Sequence, residues 1–518
     1  MNALSSSATT VSVGTRLARS GSSNSFPWVS DQGDGSYRNP VLYADYSDPD
    51  VIRMGEDFYM TASSFNCVPG LPVLHSRDLV NWQLIGHALA RLPHPRYAQM
   101  QPGCGVWAPA LRHHAGKFWI FFPMPDEGVY HVTASHPAGP WSEPHLVQAG
   151  LGLIDPCPFW DDDGRAYLVH AYAGSRAGIK HRLRMCPMEP DGTRLLGEGH
   201  IIFHDPDRHP TLEGPKIYKR RGWYYVLAPA GGVEQGWQVA LRSRSIQGPY
   251  EDRIVLSQGD TDINGPHQGA LVDTADGNTW FVHFQDAGVY GRIVHLQPVE
   301  WQDDWPVMGR DGHPIMGHRK PVPDINGLIL SPAISDSFDG PRLGFQWQWQ
   351  ANPQPSWHSL DARPGWLRLY PQEEEIISAR QPNFLLQKFP SPHFILRTTL
   401  DASGLELGQF AGVVVAGRCA AMLGLERQGT EFKLVWREDG SVKYLRSITN
   451  PIVHLWIKVR AGGGCEFGCS NEAEGGPALQ TFQAVKGEWI GAKMGLVSIK
   501  PRGGKQGGWA DFARFQLT

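Results

Sequence analysis

The stretch DVIRMGEDFYMTASS (50–64) decides the fold, because its pattern returns along the chain. Alternating apolar positions lead into a short turn with Gly, Asp or Asn, and a strand rich in aromatic residues follows, as in a β-hairpin. The other copies are APALRHHAGKFWIFFPM (108–124), CPFWDDDGRAYLVHAY (157–172), PKIYKRRGWYYVLAPA (215–230) and GALVDTADGNTWFVHFQD (269–286). Copies spaced by about 50 to 60 residues predict an all-β, five-bladed β-propeller.

A second sequence pattern follows some of the hairpins. It consists of a Ser, a turn and then a Trp or Tyr. We interpret these segments as connections between the outer strands of a blade; they are SRDLVNWQL (76–84), SHPAGPWSE (135–143) and SIQGPYED (245–252). A β-sandwich with many hairpins is the alternative fold. Repeated similarity at a near-constant period favours the propeller.

The repeat stops near Trp305, and HRKPVPDINGLILSP (318–332) is a Pro-rich linker. Beyond it, polar and apolar residues alternate with period two and no long helical segment occurs, which predicts a jelly-roll β-sandwich. The segments are GWLRLY (365–370), HFILRTTL (393–400), FAGVVVAG (410–417), EFKLVW (431–436) and AKMGLVSI (492–499). The predicted organisation is a flexible tail at 1–36, a propeller domain at 37–322 and a sandwich domain at 333–518.

Composition excludes several classes of protein. Of 518 residues, 41% are hydrophobic and 19% are charged, which is too apolar for a disordered chain. A formal net charge of -4 gives no electrostatic case for nucleic-acid binding, and no apolar run is long enough to span a membrane. The seven cysteines fit no zinc spacing. Free thiols and a start without an apolar signal segment predict a cytoplasmic protein.

Three acidic residues stand at the same place in separate repeats, just ahead of an innermost strand. Asp48, Asp155 and Glu213 each precede Pro or Gly-Pro, which taken singly is an ordinary turn. Innermost strands converge at a propeller axis, so these three carboxyl groups are expected to meet. Glycoside hydrolysis needs one protonated and one ionised carboxyl group. A third carboxylate nearby raises the pKa of the acid by like-charge repulsion.

Around these acids the chain resembles glycoside hydrolase family 43, the β-xylosidase and α-L-arabinofuranosidase group. The motifs are NPVLYADYSDPDVIRMGEDFYMTASSF (39–65), GVWAP (105–109), LIDPCPFWDDDG (153–164) and EGPKIYKRRGWYYV (213–226). DSFDGPRLGFQWQWQANPQPSWHSLDARPGWLRLY (336–370) resembles the concanavalin-A-like sandwich that follows the propeller in the family's β-xylosidases. The resemblance covers nearly everything after residue 36.

The resemblance implies a role for each acid. Asp48 would be the general base that activates water, and Glu213 the general acid. Asp155 would raise the pKa of that acid and orient it. Because the family inverts anomeric configuration, the base and acid carboxyl groups are expected to lie about 6.5 to 9.5 Å apart, with water between them.

The resemblance also implies the remaining site residues. Phe65 and Trp107 match walls of the sugar pocket, although a strand Trp is ordinarily a core residue. Arg292 matches an arginine that contacts substrate hydroxyls and the catalytic carboxylates. His267 matches a histidine at the propeller axis, which in relatives binds a central calcium or lies beside ordered water. No cofactor is required, and calcium is an optional ligand that takes mostly oxygen atoms. Cys67 stands where many β-xylosidases have a bulky aromatic nearby, which leaves fine specificity open.

The sequence therefore predicts an inverting, exo-acting hydrolase that removes terminal β-D-xylose from xylo-oligosaccharides. α-L-Arabinofuranosyl groups, as in arabinose-substituted xylan fragments, are a second substrate. The alternatives are arabinofuranosidase as the main activity, a sugar-binding propeller without catalysis, and a retaining propeller hydrolase such as a fructosidase. No nucleic-acid or membrane partner is expected, and a homo-oligomer is compatible with the sequence.

Overall fold

Each of the repeated hairpins forms the first two strands of a four-stranded antiparallel sheet, so the predicted five-bladed propeller is confirmed. The computed structural model describes residues 26–323, 329–471 and 476–518. The strands in chain order are β1 (Ser36–Arg38); β2 (Asp50–Met54), β3 (Asp57–Thr61), β4 (Gly70–Ser76) and β5 (Trp82–Leu89); β6 (Ala110–His114), β7 (Lys117–Met124), β8 (Gly128–Ala134) and β9 (His145–Ala149); β10 (Leu153–Trp160), β11 (Ala166–Tyr172), β12 (Arg182–Met188) and β13 (His200–His204); β14 (Lys216–Arg220), β15 (Trp223–Ala230), β16 (Trp237–Ser243) and β17 (Glu251–Ser257); β18 (His267–Asp273), β19 (Thr279–Asp286), β20 (Arg292–Gln302) and β21 (Trp305–Met308).

Local sequence explains the blades. The turn between the first two strands of each blade carries a glycine in the left-handed region, with φ of 64° at Gly55 and 87° at Gly277. That backbone conformation lets a tight turn join the two strands. The three predicted connections at 76–84, 135–143 and 245–252 join the third and fourth strands of their blades, as predicted.

The ring of blades closes through the segment that precedes the first blade. Val41 and Leu42 donate backbone hydrogen bonds to the Val294 carbonyl, and the Val294 amide donates back to Leu42. The Asn39 side chain both donates to and accepts from the backbone of Leu296. The fifth blade is therefore tied, through β20, to the chain that enters the first blade.

The second β-rich region is a sandwich of two sheets, also as predicted. One sheet has eight strands and the other has seven. The short strand β22 (Gly317–Arg319) precedes the sandwich and pairs with β1. The sandwich strands are β23 (Gln348–Trp349), β24 (His358–Ser359), β25 (Leu367–Leu369), β26 (Gln372–Glu373), β27 (Leu385–Lys388), β28 (Phe394–Asp401), β29 (Phe410–Ala416), β30 (Ala420–Gln428), β31 (Glu431–Glu438), β32 (Ser441–Ile448), β33 (Ile452–Val459), β34 (Gly464–Ser470), β35 (Gln480–Gln483), β36 (Lys493–Lys500) and β37 (Ala510–Leu517). One sheet has the order β23-β27-β36-β29-β30-β31-β32, with β26 beside β36, and the other has the order β24-β25-β37-β28-β33-β34-β35.

Helical structure is confined to single turns in the described residues. They are the α-helix α1 (Gly174–Ala177) and the 3-10 turns Pro95–Ala98, Gly288–Tyr290, Pro355–Trp357, Ser378–Arg380 and Ala461–Gly463. None of the described helices is long and apolar enough to cross a membrane.

The two regions pack directly on each other. Val68, in the loop after β3, exchanges a pair of backbone hydrogen bonds with Trp349 of β23, at 2.9 and 2.6 Å. Of the predicted tail, residues 1–25 lie outside the described part of the chain, as do residues 324–328 of the predicted linker. The domain limits at 37–322 and 333–518 stay a prediction.

Candidate active site

A pocket opens where the innermost strands of the blades begin. All the site residues named from the sequence line this one pocket: Asp48, Phe65, Trp107, Asp155, Glu213, His267 and Arg292. The structure therefore brings together residues that are up to two hundred and forty-four positions apart in the chain.

The backbone explains why the acids point into the pocket. Asp48 and Asp155 both have φ of 56°, and each precedes a proline. This left-handed conformation is strained for a residue with a side chain, and such strain concentrates at functional sites. In the fourth blade the corresponding position is Gly214, with φ of 60°. Glu213 therefore enters the pocket from one residue earlier than the two aspartates do.

Asp48 is buried and surrounded by donors. Its Oδ2 accepts hydrogen bonds from the hydroxyl groups of Ser47 and Ser63, at 2.8 and 2.5 Å. Arg292 Nη1 lies 3.2 Å from Oδ1, and it also donates to Ser47 Oγ at 2.7 Å. The cation and the hydroxyl donors hold the Asp48 carboxyl group in a fixed orientation. Oδ1 keeps the larger remaining capacity to accept a proton, because both hydroxyl groups donate to Oδ2.

Asp155 and Glu213 form a different environment. Burial raises the pKa of Asp155, and the negative charge of Asp48 raises it further, while the Gly214 amide donates to Asp155 Oδ2 at 2.7 Å and opposes the rise. Burial also raises the pKa of Glu213, and Asp155 adds to that rise by like-charge repulsion. Two neighbouring carboxyl groups that repel each other, Asp155 buried and Glu213 partly exposed, hold a proton at higher pH than isolated ones do.

His267 stands beside the acid without a charge. Burial lowers the pKa of His267 to about 3, and the neighbouring Arg292 cation lowers it as well. Its Nε2 lies 3.5 Å from Glu213 Oε1. At this pKa the ring is neutral near pH 7, so it does not neutralise the Glu213 carboxyl group.

Aromatic rings form the apolar wall of the pocket. The Phe65 and Trp107 ring centroids are 6.3 Å apart, and Trp107 and Trp489 are 6.0 Å apart. Phe65 is held by backbone hydrogen bonds in both directions with Val106, at 2.8 and 3.0 Å. The adjacent Gly105 has φ of 87°, and a Cβ there would lie 2.2 Å from the Phe65 carbonyl oxygen. Only glycine permits this close approach of the two loops.

Several pocket residues escape sequence reasoning. Trp489 comes from the sandwich region, outside every repeat, and has φ of 64° and an exposed fraction of 41%. Nothing in its local pattern marks it, because only the packing of the two regions brings it over the propeller. Ser47 and Ser63 contact Asp48 without lining the pocket, and both lie within the motif at 39–65. The position of Ser47 next to Asp48 in sequence was a signal for Ser47 but not for Ser63. The other unnamed lining residues are Ala108, Ile154, Val233 and Gln268.

Two family models match the chain in the order of its two regions. The model described as "Glycosyl hydrolases family 43" matches residues 37–306. The model described as "Beta xylosidase C-terminal Concanavalin A-like domain" matches residues 335–518.

Individual proteins also match over most of their length. A putative beta-xylosidase of Xylanibacter ruminicola is 41% identical over 90% of this chain and 87% of its own. A non-reducing end alpha-L-arabinofuranosidase of Bacteroides ovatus is 32% identical over 71% of this chain and 73% of its own. The crystal structure of a xylan beta-1,4-xylosidase from Bacillus halodurans is 27% identical, with a TM-score of 0.81 over 93% of this chain and 99% of that one.

Proposed function

Because the chain belongs to the glycosyl hydrolases of family 43, we propose that it is an inverting exo-glycosidase that releases terminal β-D-xylose from xylo-oligosaccharides. The observation that carries this proposal is the contrast between carboxyl groups in one pocket. Asp48 is held among a guanidinium and two hydroxyl groups, whereas burial and mutual repulsion raise the pKa values of Asp155 and Glu213. One ionised and one protonated carboxyl group are what glycoside hydrolysis requires.

Asp48 is the proposed general base. A water molecule attacks the anomeric carbon from the Asp48 side, and Asp48 Oδ1 takes a proton from that water. Ser47, Ser63 and Arg292 orient the Asp48 carboxylate before the reaction. Such preorganised donors contribute because they need no rearrangement during the reaction.

Glu213 is the proposed general acid. It donates its proton to the glycosidic oxygen as the bond to the anomeric carbon breaks, so the leaving sugar departs as a neutral alcohol. Asp155 supports this role, since its proximity raises the pKa of Glu213. After product release, Glu213 regains a proton from solvent through its partly exposed carboxyl group, whose side chain is 23% exposed.

The shape of the pocket supports action at a chain end. Phe65 and Trp107 from the propeller and Trp489 from the sandwich region surround the space beside the carboxyl groups. Aromatic faces are suited to stack against the apolar face of a sugar ring. A wall built from two regions suits one terminal sugar better than a continuous chain.

α-L-Arabinofuranosides are a second candidate substrate. A relative that is 32% identical is named a non-reducing end alpha-L-arabinofuranosidase. A binding module without catalysis is less favoured, because buried carboxyl groups that repel each other weaken a site that only has to bind. The arrangement is useful to a site that must donate a proton.

The deciding experiment compares kcat/KM on 4-nitrophenyl β-D-xyloside, α-L-arabinofuranoside and β-D-glucoside, with xylobiose as the natural linkage. We expect the xyloside to be hydrolysed most efficiently and xylobiose to yield xylose. Preference for the arabinofuranoside would transfer the main activity to the second candidate. Saturable xylobiose binding without any xylose release would establish the binding module instead.

Product stereochemistry tests the mechanism separately. Proton NMR of the first turnovers on a β-xyloside is expected to show α-xylose before mutarotation. Initial β-xylose would contradict inversion and would require a nucleophilic carboxylate about 5.5 Å from the acid, as in a retaining hydrolase.

An optional calcium near His267 gains no support from a cluster of ligating side chains. Calcium takes about six to eight ligands, mainly oxygen atoms, and in the described residues no group of three His, Cys, Asp or Glu side chains converges as a metal site. No step proposed above passes through a metal. A calcium held mostly by water stays a prediction, and so does a homo-oligomer.

A further inference from the structure

Asp45 occupies a buried position where the propeller and the sandwich region meet. Its Oδ1 accepts a hydrogen bond from the backbone amide of Arg292, at 2.9 Å. Its Oδ2 accepts one from the backbone amide of Gly491, also at 2.9 Å. One carboxylate of the propeller therefore holds an amide of each region, and the residue is only 4% exposed.

Both amides belong to segments that deliver a side chain to the pocket. Arg292 itself lies 3.2 Å from Asp48, and Gly491 is two residues from Trp489. The Arg292 guanidinium carbon lies 5.7 Å from the Trp489 ring centroid. The backbone contact at Asp45 and the side-chain contact in the pocket thus join the same two segments.

The two segments approach too closely for side chains. A Cβ on Gly291, which has φ of 76°, would lie 2.5 Å from Asp45 Cγ and 2.7 Å from the Gly491 amide nitrogen. A Cβ on Gly491 would lie 2.6 Å from the Tyr290 carbonyl carbon. Ala492 also donates a backbone hydrogen bond to Val289, at 2.8 Å. Asp45 is therefore the side chain that accepts a backbone hydrogen bond from each segment where the two segments cross closely.

We infer that Asp45 is a positioning residue that holds Arg292 of the propeller and Trp489 of the sandwich region in fixed positions relative to each other. Asp45 does not touch the pocket and acts through these two side chains. The inference rests on the proposed function, because it takes the pocket that both side chains line to be the sugar-binding site. It goes further in assigning the seam between the regions a direct effect on turnover.

The test is a double-mutant cycle of D45N and W489A. The amide side chain in D45N has one acceptor oxygen for two backbone amides, so one of those amides would face the NH₂ group. We expect D45N to lower kcat/KM by about 10- to 100-fold, as small displacements of positioning groups do. In the W489A background, D45N should lower kcat/KM by a factor that is about a third or less of the factor it causes in the wild type, since coupled sites are not additive. An equal loss in both backgrounds would overturn the inference.

D336N is the matched control. Asp336 also accepts from two backbone amides, those of Phe338 and Gly344, and in addition from the Trp347 indole, but within the sandwich region away from the pocket. We expect less than about a twofold change in kcat/KM for D336N, as for changes remote from a site. A loss in D336N as large as that in D45N would mean that the effect is general destabilisation, which also overturns the inference.

A second variant covers the case in which D45N fails to fold. G491A keeps the carboxylate and pushes the Trp489 segment away from Tyr290, so it should lower kcat/KM in the same direction. Normal kcat/KM for G491A would overturn the inference. All variants are measured on whichever aryl glycoside the wild type cleaves. Failure of the proposed substrate then shows in the wild type, and failure of this inference shows in the ratio of variant to wild type.

Discussion

Asp48 and Glu213 face the same pocket, but their surroundings are opposite in character. Asp48 has a guanidinium and two hydroxyl donors within 3.2 Å. Glu213 has a neutral imidazole at 3.5 Å and a second carboxyl group nearby. The difference shows that the surroundings, and not the residue type alone, distinguish the two carboxyl groups. Ser47 and Ser63 come from the same blade as Asp48, whereas Arg292 and His267 come from the fifth blade.

Replacing Asp48 should produce the largest effect. Asp48→Ala removes the group proposed to accept the proton of water, so we expect kcat to fall roughly 10³- to 10⁴-fold. The loss should be similar for xylobiose and for 4-nitrophenyl xyloside, since both need the same activated water. Steady-state kinetics on the two substrates check this, with circular dichroism to establish folding. Near-normal turnover of a folded variant would remove Asp48 from the mechanism.

Replacing Glu213 should separate substrates by their leaving groups. Glu213→Ala removes the proton donor, so xylobiose hydrolysis should fall by about 10²- to 10³-fold. Hydrolysis of 2,4-dinitrophenyl xyloside should fall less than about tenfold, because that leaving group needs little protonation. Glu300→Ala, at an exposed residue of β20, is the control and should leave both rates unchanged. Equal losses on the two substrates in the Glu213 variant would contradict the acid role.

Removing one donor to Asp48 should have an intermediate effect. Ser63→Ala deletes the hydroxyl group that donates to Oδ2 at 2.5 Å. One hydrogen bond to a charged group predicts a loss of about tenfold in kcat. Ser64→Ala is the matched control, because the Ser64 hydroxyl is also buried but accepts from the Leu71 amide. If the two serine variants lose the same activity, the Ser63 hydrogen bond has no special role.

The pH profile should respond to Asp155. Its charge raises the pKa of Glu213, so Asp155→Asn should lower that pKa and move the alkaline limb of kcat/KM to lower pH. We expect a displacement of about one pH unit, the scale of one nearby charge. Asparagine can still accept from the Gly214 amide, so the loop should hold. An unchanged or upward-shifted alkaline limb would show that Asp155 does not act on the acid.

The smallest expected effect is on stability. Because the pKa of Glu213 is raised in the folded state, the folded protein binds more protons than the unfolded chain between the two pKa values. Stability then falls as pH rises through that window, and it is fully retained below the unfolded pKa. Glu213→Gln should therefore raise Tm at pH 8 by about 2 to 4 °C and leave Tm at pH 4 unchanged. Differential scanning fluorimetry at both pH values checks it, and an equal shift at both would point to packing instead of ionisation.

Most of the fold could be predicted from local sequence patterns. The hairpin repeats predicted the blades because period-two alternation around a glycine turn is a local property of the chain. The same alternation predicted the second β-rich region. The acids Asp48, Asp155 and Glu213 were recognisable because each lies near the start of an innermost strand in its own repeat. Asp48 and Glu213 stand ahead of β2 and β14, as predicted, whereas Asp155 is the third residue of β10.

Contacts between segments that are distant in the chain could not be predicted from local sequence patterns. Trp489 lies in a loop of the sandwich region, and Asp45 belongs to the segment before the first blade, so neither takes its role from its neighbours in sequence. The serine hydroxyl groups at Ser47 and Ser63 were close to a motif, but their donation to Asp48 depends on the left-handed backbone at that residue.

The sequence alone therefore specified the blades, the second sheet region and the carboxyl groups that meet at the axis, because these depend on short-range patterning and on repetition. The tertiary structure decided the surroundings of each carboxyl group, because Arg292 and His267 of the fifth blade reach Asp48 and Glu213 only in the folded chain. It also decided that the sandwich region completes the wall of the pocket through Trp489. Burial and proximity of groups far apart in the chain arise only when the two regions pack together.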